Sequence, residues 1–226
     1  LRAEGFSAII FDLDGTLVDS SEAIVECINW ALSQKQLPPA PAHVIKKSIG
    51  TPLEDMFAPF TDSDPGDLVR LYRERYRQVF LQRTRLLPGV SEVLDSVRKR
   101  GYRIALATTK PRYFAEPILE HLGIRGFFDA VAGGEEVTLL KPAPDLLFLA
   151  MERLRASSEE TLYVGDHPVD IAAAKSAGIR IICVTTGFWS RAELEERTPA
   201  LVIDNLQELL PLVPDRAEGN TVSCEE

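Results

Sequence analysis

After Pro88-Gly89 the chain alternates helical and strand patterns, and few folds accept that order. Apolar spacing of three and four predicts helices over residues 90–100, 112–122, 145–154, 169–177 and 206–210. Short apolar runs between them predict strands at 103–108, 130–132, 161–164, 180–184 and 201–203. A further run at 6–11 supplies a first strand. These runs are continuous rather than alternating, which suits strands buried on both faces of a parallel sheet. The expected fold is therefore α/β, a doubly wound parallel, Rossmann-like sheet.

One stretch breaks the rhythm. Residues 17–85 show helical stripes only, first at Ile24, Cys27, Ile28, Ala31 and Leu32, with Ser20 placed as an N-cap. Pro38, Pro39 and Pro41 stop that helix. Two short helices follow, at 42–47 and 53–57, and Asp64-Pro65 opens a longer one. No strand is expected between 17 and 85. The simplest organisation is an all-helical cap, 18–85, inserted into a core formed by 1–17 and 86–213. Residues 214–226 are polar and aperiodic and read as a flexible tail. Trp30, Tyr72 and Tyr76 fall on helical stripes and read as cap core.

Composition excludes some roles. The 226 residues carry a net charge of −9, so nucleic acid and anionic membrane are poor partners. No apolar run reaches the length of a membrane span. The first strand begins too early for a signal peptide, and three scattered cysteines suit a reducing compartment. Cys27 and Cys183 lie among apolar residues and read as core. The expectation is a cytoplasmic protein, monomer or homodimer.

In an open parallel sheet, ligands bind at the carboxyl ends of the strands. Asp12, Asp14 and Gly15 follow the first strand, and Thr108, Thr109 and Lys110 close another. Lys141 follows a short strand and its loop, while Asp166 and Asp170 follow the strand at 161–164. Each has a plainer reading. Asp-Gly makes turns, Lys141 suits a solvated loop, and Asp166 or Asp170 could cap the next helix. Together they bring four carboxylates to one edge, where they repel unless a cation joins them. Oxygen ligands without a His or Cys cluster select a hard ion, Mg²⁺ above others. Thr108 and Lys141 suit a phosphate group.

The segments FDLDGTLVDS, ATTKP, LLKPAPD and VGDHPVDIAAAKSAG occur in order along the chain. This set resembles the four motifs of the haloacid dehalogenase superfamily of hydrolases, within the phosphatases similar to phosphoglycolate phosphatases. The resemblance covers nearly the whole chain, and the helical insert matches the family's small cap. It implies a Mg²⁺-dependent phosphatase with Asp12 as nucleophile, forming an aspartyl-phosphate, and Asp14 as general acid and then base. It implies metal binding by Asp12, the backbone carbonyl of Asp14, and Asp166. Asp170 would orient Lys141 or a water on the metal. Thr108 and Lys141 would hold phosphoryl oxygens.

The same resemblance marks departures. His167 stands where relatives often have Ser or Thr, and its ring either reaches the metal's water shell or substrate, or points outward. Thr109 replaces a usual Asn or Ser and implies an altered substrate contact. Asp14 argues against dehalogenation, and Thr16 against a sugar phosphomutase. A pyrophosphatase, a nucleotide phosphatase, a sugar phosphomutase and a silent binding module remain open. Residues 50–53, with Thr51, lie where the family places a specificity loop, and Lys46 and Lys47 are either anion guides or solvated surface. The expected substrate is a small phosphorylated metabolite, with 2-phosphoglycolate first. His43 and His121 read as surface residues.

Overall fold

The computed structural model describes residues 5–216. The last ten residues of the expected tail, 217–226, lie outside the described residues. Six parallel strands form the central sheet: β1 (Ala8–Phe11), β4 (Arg103–Ala107), β5 (Ala130–Ala132), β6 (Thr161–Gly165), β7 (Arg180–Val184) and β8 (Leu201–Ile203). Their order is β5-β4-β1-β6-β7-β8. The chain builds outward from β1 on one side and then crosses to β6 on the other. The junction of β1 and β6 is thus the switch point, where crossover connections leave a crevice. Phe11 pairs in register with Leu106 and Val164, so Asp12 emerges beside the ends of both neighbours.

Alternation along β1 sends side chains to two separate cores. Ile9 and Phe11 pack with helices α5 (Val90–Lys99) and α6 (Arg112–His121). Ala8 and Ile10 pack with α7 (Asp145–Leu154) and α8 (Pro168–Ala177). Cys183 is buried in this second core, as expected.

The insert holds α1 (Ser21–Gln34), α2 (Ala42–Ser48), α3 (Leu53–Phe57) and α4 (Gly66–Val79). Ile24, Cys27, Ile28 and Leu32 of α1 meet Leu68, Tyr72 and Tyr76 of α4 in a third core. Phe114 of α6 joins that core and ties the insert to the sheet. Trp30 is only partly buried against it.

Some expectations need correction. The two connections to the insert form a short antiparallel ribbon, β2 (Val18–Asp19) with β3 (Arg85–Leu86), where no strand was expected before residue 85. Two residues are too few to show a period, so only pairing across the insert reveals them. A five-residue helix, α9 (Arg191–Glu195), also went unforeseen, although Ser190 and Glu193 form its capping box. The segment expected as a helix at 206–210 is a 3₁₀ helix, Leu206–Leu212, containing Pro211, which cannot supply an α-helical donor. Among the described residues no helix is long and apolar enough to cross a membrane. His43 and His121 are exposed.

Candidate active site

The carboxyl edge of β1, β4 and β6 gathers most of the residues singled out above. Asp12, Asp166 and Asp170 are all buried, with one oxygen from each lying within 4.8 Å of the others. Lys141 reaches them from the loop before α7 and is itself only 2% exposed. Its ammonium donates to Asp12 Oδ1 at 2.8 Å, Asp170 Oδ1 at 2.9 Å and Tyr163 Oη at 2.5 Å. All three donors are therefore committed. Burial alone would push the Lys141 pKa down, but Asp12 and Asp170 outweigh it and hold the group at about 12.

Asp170 is saturated. Its Oδ1 accepts from Lys141 and from Tyr163 at 2.7 Å, and its Oδ2 accepts from the backbone N–H of Asp166 and His167. The helix-capping reading and the site reading of Asp170 are both realised, because one carboxylate closes the first turn of α8 and anchors Lys141. Burial acts upward on Asp170, yet Lys141 and Tyr163 hold it below the usual carboxylate range.

Asp12 and Asp166 are less satisfied. Among the described residues Asp12 Oδ2 and Asp166 Oδ2 receive no hydrogen bond, while Thr16 donates to Asp166 Oδ1 at 2.8 Å. Burial raises Asp12 to about 7 despite Lys141, and raises Asp166 well above the usual range with help from Asp170 and Asp12. The site thus holds three buried carboxylates against one ammonium. That excess of buried negative charge, with oxygen donors only, fits a hard divalent cation between Asp12 and Asp166. The backbone is drawn close around Asp166. A Cβ on Gly187 would fall 1.9 Å from Asp166 Oδ2, and one on Gly15, at φ +85°, would fall 2.2 Å from it.

The carboxylate of Asp14 has different company. It accepts from the Ser20 hydroxyl and pairs with Lys110 Nζ at 3.0 Å. Its side chain therefore stands outside the Asp12–Asp166–Asp170 group, leaving its backbone carbonyl as the metal donor it could supply. Ser20 precedes α1 but makes no side-chain cap, contrary to expectation, because Asp14 claims its hydroxyl. Lys110 also donates to Tyr76 Oη at 2.8 Å, so a cap residue reaches the same carboxylate through one ammonium. Burial acts downward on Lys110, but Asp14 and Tyr76 outweigh it and raise its pKa.

Thr108 is buried beside these groups and accepts from the Lys110 N–H at 3.1 Å. Thr109 instead donates to the Gly50 carbonyl at 3.2 Å, a contact with the cap. Thr51 donates to the Ser48 carbonyl at 2.7 Å and lines a cavity between cap and sheet. That cavity has a volume of about 240 Å³, and its lining includes Asp14 and Lys110.

His167 neither points outward nor meets the carboxylates through its ring. It is buried, its Nδ1 accepts from the Val169 N–H, and its Nε2 donates to the Lys47 carbonyl at 3.0 Å. It caps α8 and fastens the cap, and burial lowers its pKa. Lys46 and Lys47 lie against Phe188 and Trp189, and Lys47 pairs with Glu193 at 2.5 Å. Both lysines are thus engaged at the cap–sheet junction.

Ser20 and Tyr76 are site residues the sequence reading lacks, and Lys110, placed at the edge there, has no role assigned. Lys110 sits two positions beyond Thr108, a spacing that turns it toward the same edge, but nothing local to residue 76 signals its role.

Buried carboxylates facing one fixed ammonium suit phosphoryl transfer, in which charge passes between oxygens. Comparison with known proteins supplies the family. The family model described as haloacid dehalogenase-like hydrolase matches residues 9–184, and the chain belongs to that family. It is 36% identical over 209 residues to "Probable phosphatase IndB" of Dickeya dadantii, covering 89% of this chain and 91% of that one. It is 32% identical to the phosphoglycolate phosphatase of Escherichia coli, covering 93% of each. Its structure matches a haloacid dehalogenase-like hydrolase from Streptococcus pneumoniae with TM-score 0.84 and 29% identity, over 92% of this chain and 98% of that one.

Proposed function

We propose that the protein is a Mg²⁺-dependent phosphatase acting on a small phosphorylated metabolite through an aspartyl-phosphate on Asp12. The position of Asp12 carries the reading. Lys141 fixes one oxygen and leaves the other without a donor, so a lone pair remains for attack on phosphorus. Asp12 and Asp166 would hold Mg²⁺, which would neutralise charge there and favour the ionised form of Asp12. Thr108, whose hydroxyl accepts from the Lys110 N–H and keeps its own proton to donate, binds a phosphoryl oxygen. Lys141 turns one of its three donors from its present partners to another phosphoryl oxygen as charge redistributes. Asp14, lining the cavity, delivers a proton to the leaving oxygen and then takes one from water. The insert, 18–85, closes over the core and excludes water from the transfer. 2-Phosphoglycolate is the first substrate to test, since its carboxylate matches a cavity that contains cations.

The test is phosphate release from a panel containing 2-phosphoglycolate, pyrophosphate and nucleoside monophosphates, with wild type beside Asp12→Asn. Release should require Mg²⁺ and fall at least about a thousandfold in the variant. Release that survives in Asp12→Asn, or without divalent metal, would overturn the mechanism.

A further inference from the structure

Arg73 lies on α4, one residue from the Tyr72 ring and three from Tyr76, and it lines the cavity above Asp14. Its Nε is buried and has no hydrogen-bond partner, and the guanidinium makes no ion pair among the described residues. A buried guanidinium N–H left unpaired is costly, so its partner is best sought in what enters the cavity. Lys110, the other cation there, is already committed to Asp14 and Tyr76. Glu54 and Glu135 also line the cavity, but both are exposed. The cavity wall therefore carries one uncommitted positive charge among the described residues, planar, forked and half-buried.

Resting on the phosphatase reading of the same site, we propose that Arg73 selects substrates by pairing with a carboxylate on the leaving alcohol. A guanidinium fork matches a carboxylate through two parallel hydrogen bonds. One unpaired cation balances a monoanion, whereas a second phosphate would remain half-compensated. The cavity also admits more than glycolate. Five heavy atoms at about 30 Å³ or less each fill no more than roughly 150 Å³, against about 240 Å³ here. Ile24, Leu53, Met56 and Phe114 line the remainder, so the space suits a short apolar chain between phosphate and carboxylate. The substrate class is a phosphate monoester of a hydroxy acid, including but not limited to the two-carbon one.

The experiment compares hydroxy-acid phosphates of increasing chain length with neutral alkyl phosphates of equal length, for wild type, Arg73→Met and Arg73→Lys. Wild type should prefer the carboxylated ester by at least about tenfold in kcat/KM, expressed mainly in KM. Arg73→Met should lose that preference, and Arg73→Lys should keep part of it. Calorimetry with 3-phosphonopropanoate on Asp12→Asn, with and without Arg73→Met, reads the subsite without turnover. The second substitution should raise Kd at least about tenfold. A preference or Kd independent of Arg73 overturns the proposal while leaving the phosphatase reading intact. Arg73-dependent binding with no hydrolysis of any ester overturns the phosphatase reading and keeps the subsite.

Discussion

Replacing Lys141 with Met tests the electrostatic account of the site most directly. Met keeps most of the stem and removes the ammonium. Wild-type contacts of 2.8 Å to Asp12 and 2.9 Å to Asp170 disappear. At an effective dielectric of about 20 each contact is worth roughly 6 kcal/mol before desolvation. Desolvating the three ions offsets much of that gain, and truncating one member of a buried ionic group costs about 3–5 kcal/mol net. For a chain of this size that is a fall in Tm of roughly 6–20 °C. Thermal and urea unfolding in EDTA measure it.

The sign with pH follows from the stranded carboxylates. Without the ammonium Asp170 loses the cation that holds it low and Asp12 rises further above its already raised value, so the folded variant holds more protons than the folded wild type, protons that the unfolded state has released. The variant should therefore lose stability as pH rises from about 5 to about 8, and its deficit against wild type should widen. At the proposed metal site, added Mg²⁺ should restore positive charge and stabilise the variant more than wild type. Equal melting of both proteins in EDTA across that range would refute the reasoning. So would a smaller Mg²⁺ effect on the variant.

Gly15→Ala should cost at least about 1–2 kcal/mol from its positive φ alone, and should weaken Mg²⁺ binding because the new Cβ meets Asp166; urea unfolding with a Mg²⁺ titration measures both. Glu136 is held at about 2, first by Arg153 and also by the Gly133 N–H. Glu136→Gln should therefore cost about 1–2 kcal/mol at neutral pH after allowance for partial exposure. A depressed carboxyl contributes stability above its unfolded pKa and loses it as pH falls, so the difference should shrink from about pH 4.5 toward about pH 2, as read by acid unfolding. Burial pushes the Cys27 thiol up to about 12 and that of Cys183 higher than usual. Neither should react with iodoacetamide until the protein unfolds, as peptide mass mapping would show.

The parts of this protein that were legible in the sequence are those written locally. Strand ends, short turns and helix stripes are governed by neighbours a few positions away, and they suffice to place Asp12, Thr108, Lys141 and Asp166 on one edge. The hidden parts depend on chain segments that meet only after folding. Thr16 serves Asp166 across 150 positions, and Tyr76 serves Lys110 across 34. His167 stands where relatives often have Ser or Thr, and the sequence leaves its ring either at the site or pointing outward. Its ring is spent on the Val169 N–H and the Lys47 carbonyl, a capping and docking role that no spacing rule separates from a catalytic one. Ser20 shows the converse. Its sequence position is that of an ordinary N-cap, and only the approach of Asp14 from the first strand diverts the hydroxyl. Arg73 is the sharpest case. On a helix whose residues 70, 73, 75 and 77 are all arginine, periodicity cannot single one out. Among the described residues Arg70 pairs with Asp67 and Glu74, and Arg75 with Glu26, while Arg77 lies over the Phe114 ring. What distinguishes Arg73 is that its neighbours leave it unpaired at the wall of a cavity, and that property belongs to the packed molecule alone.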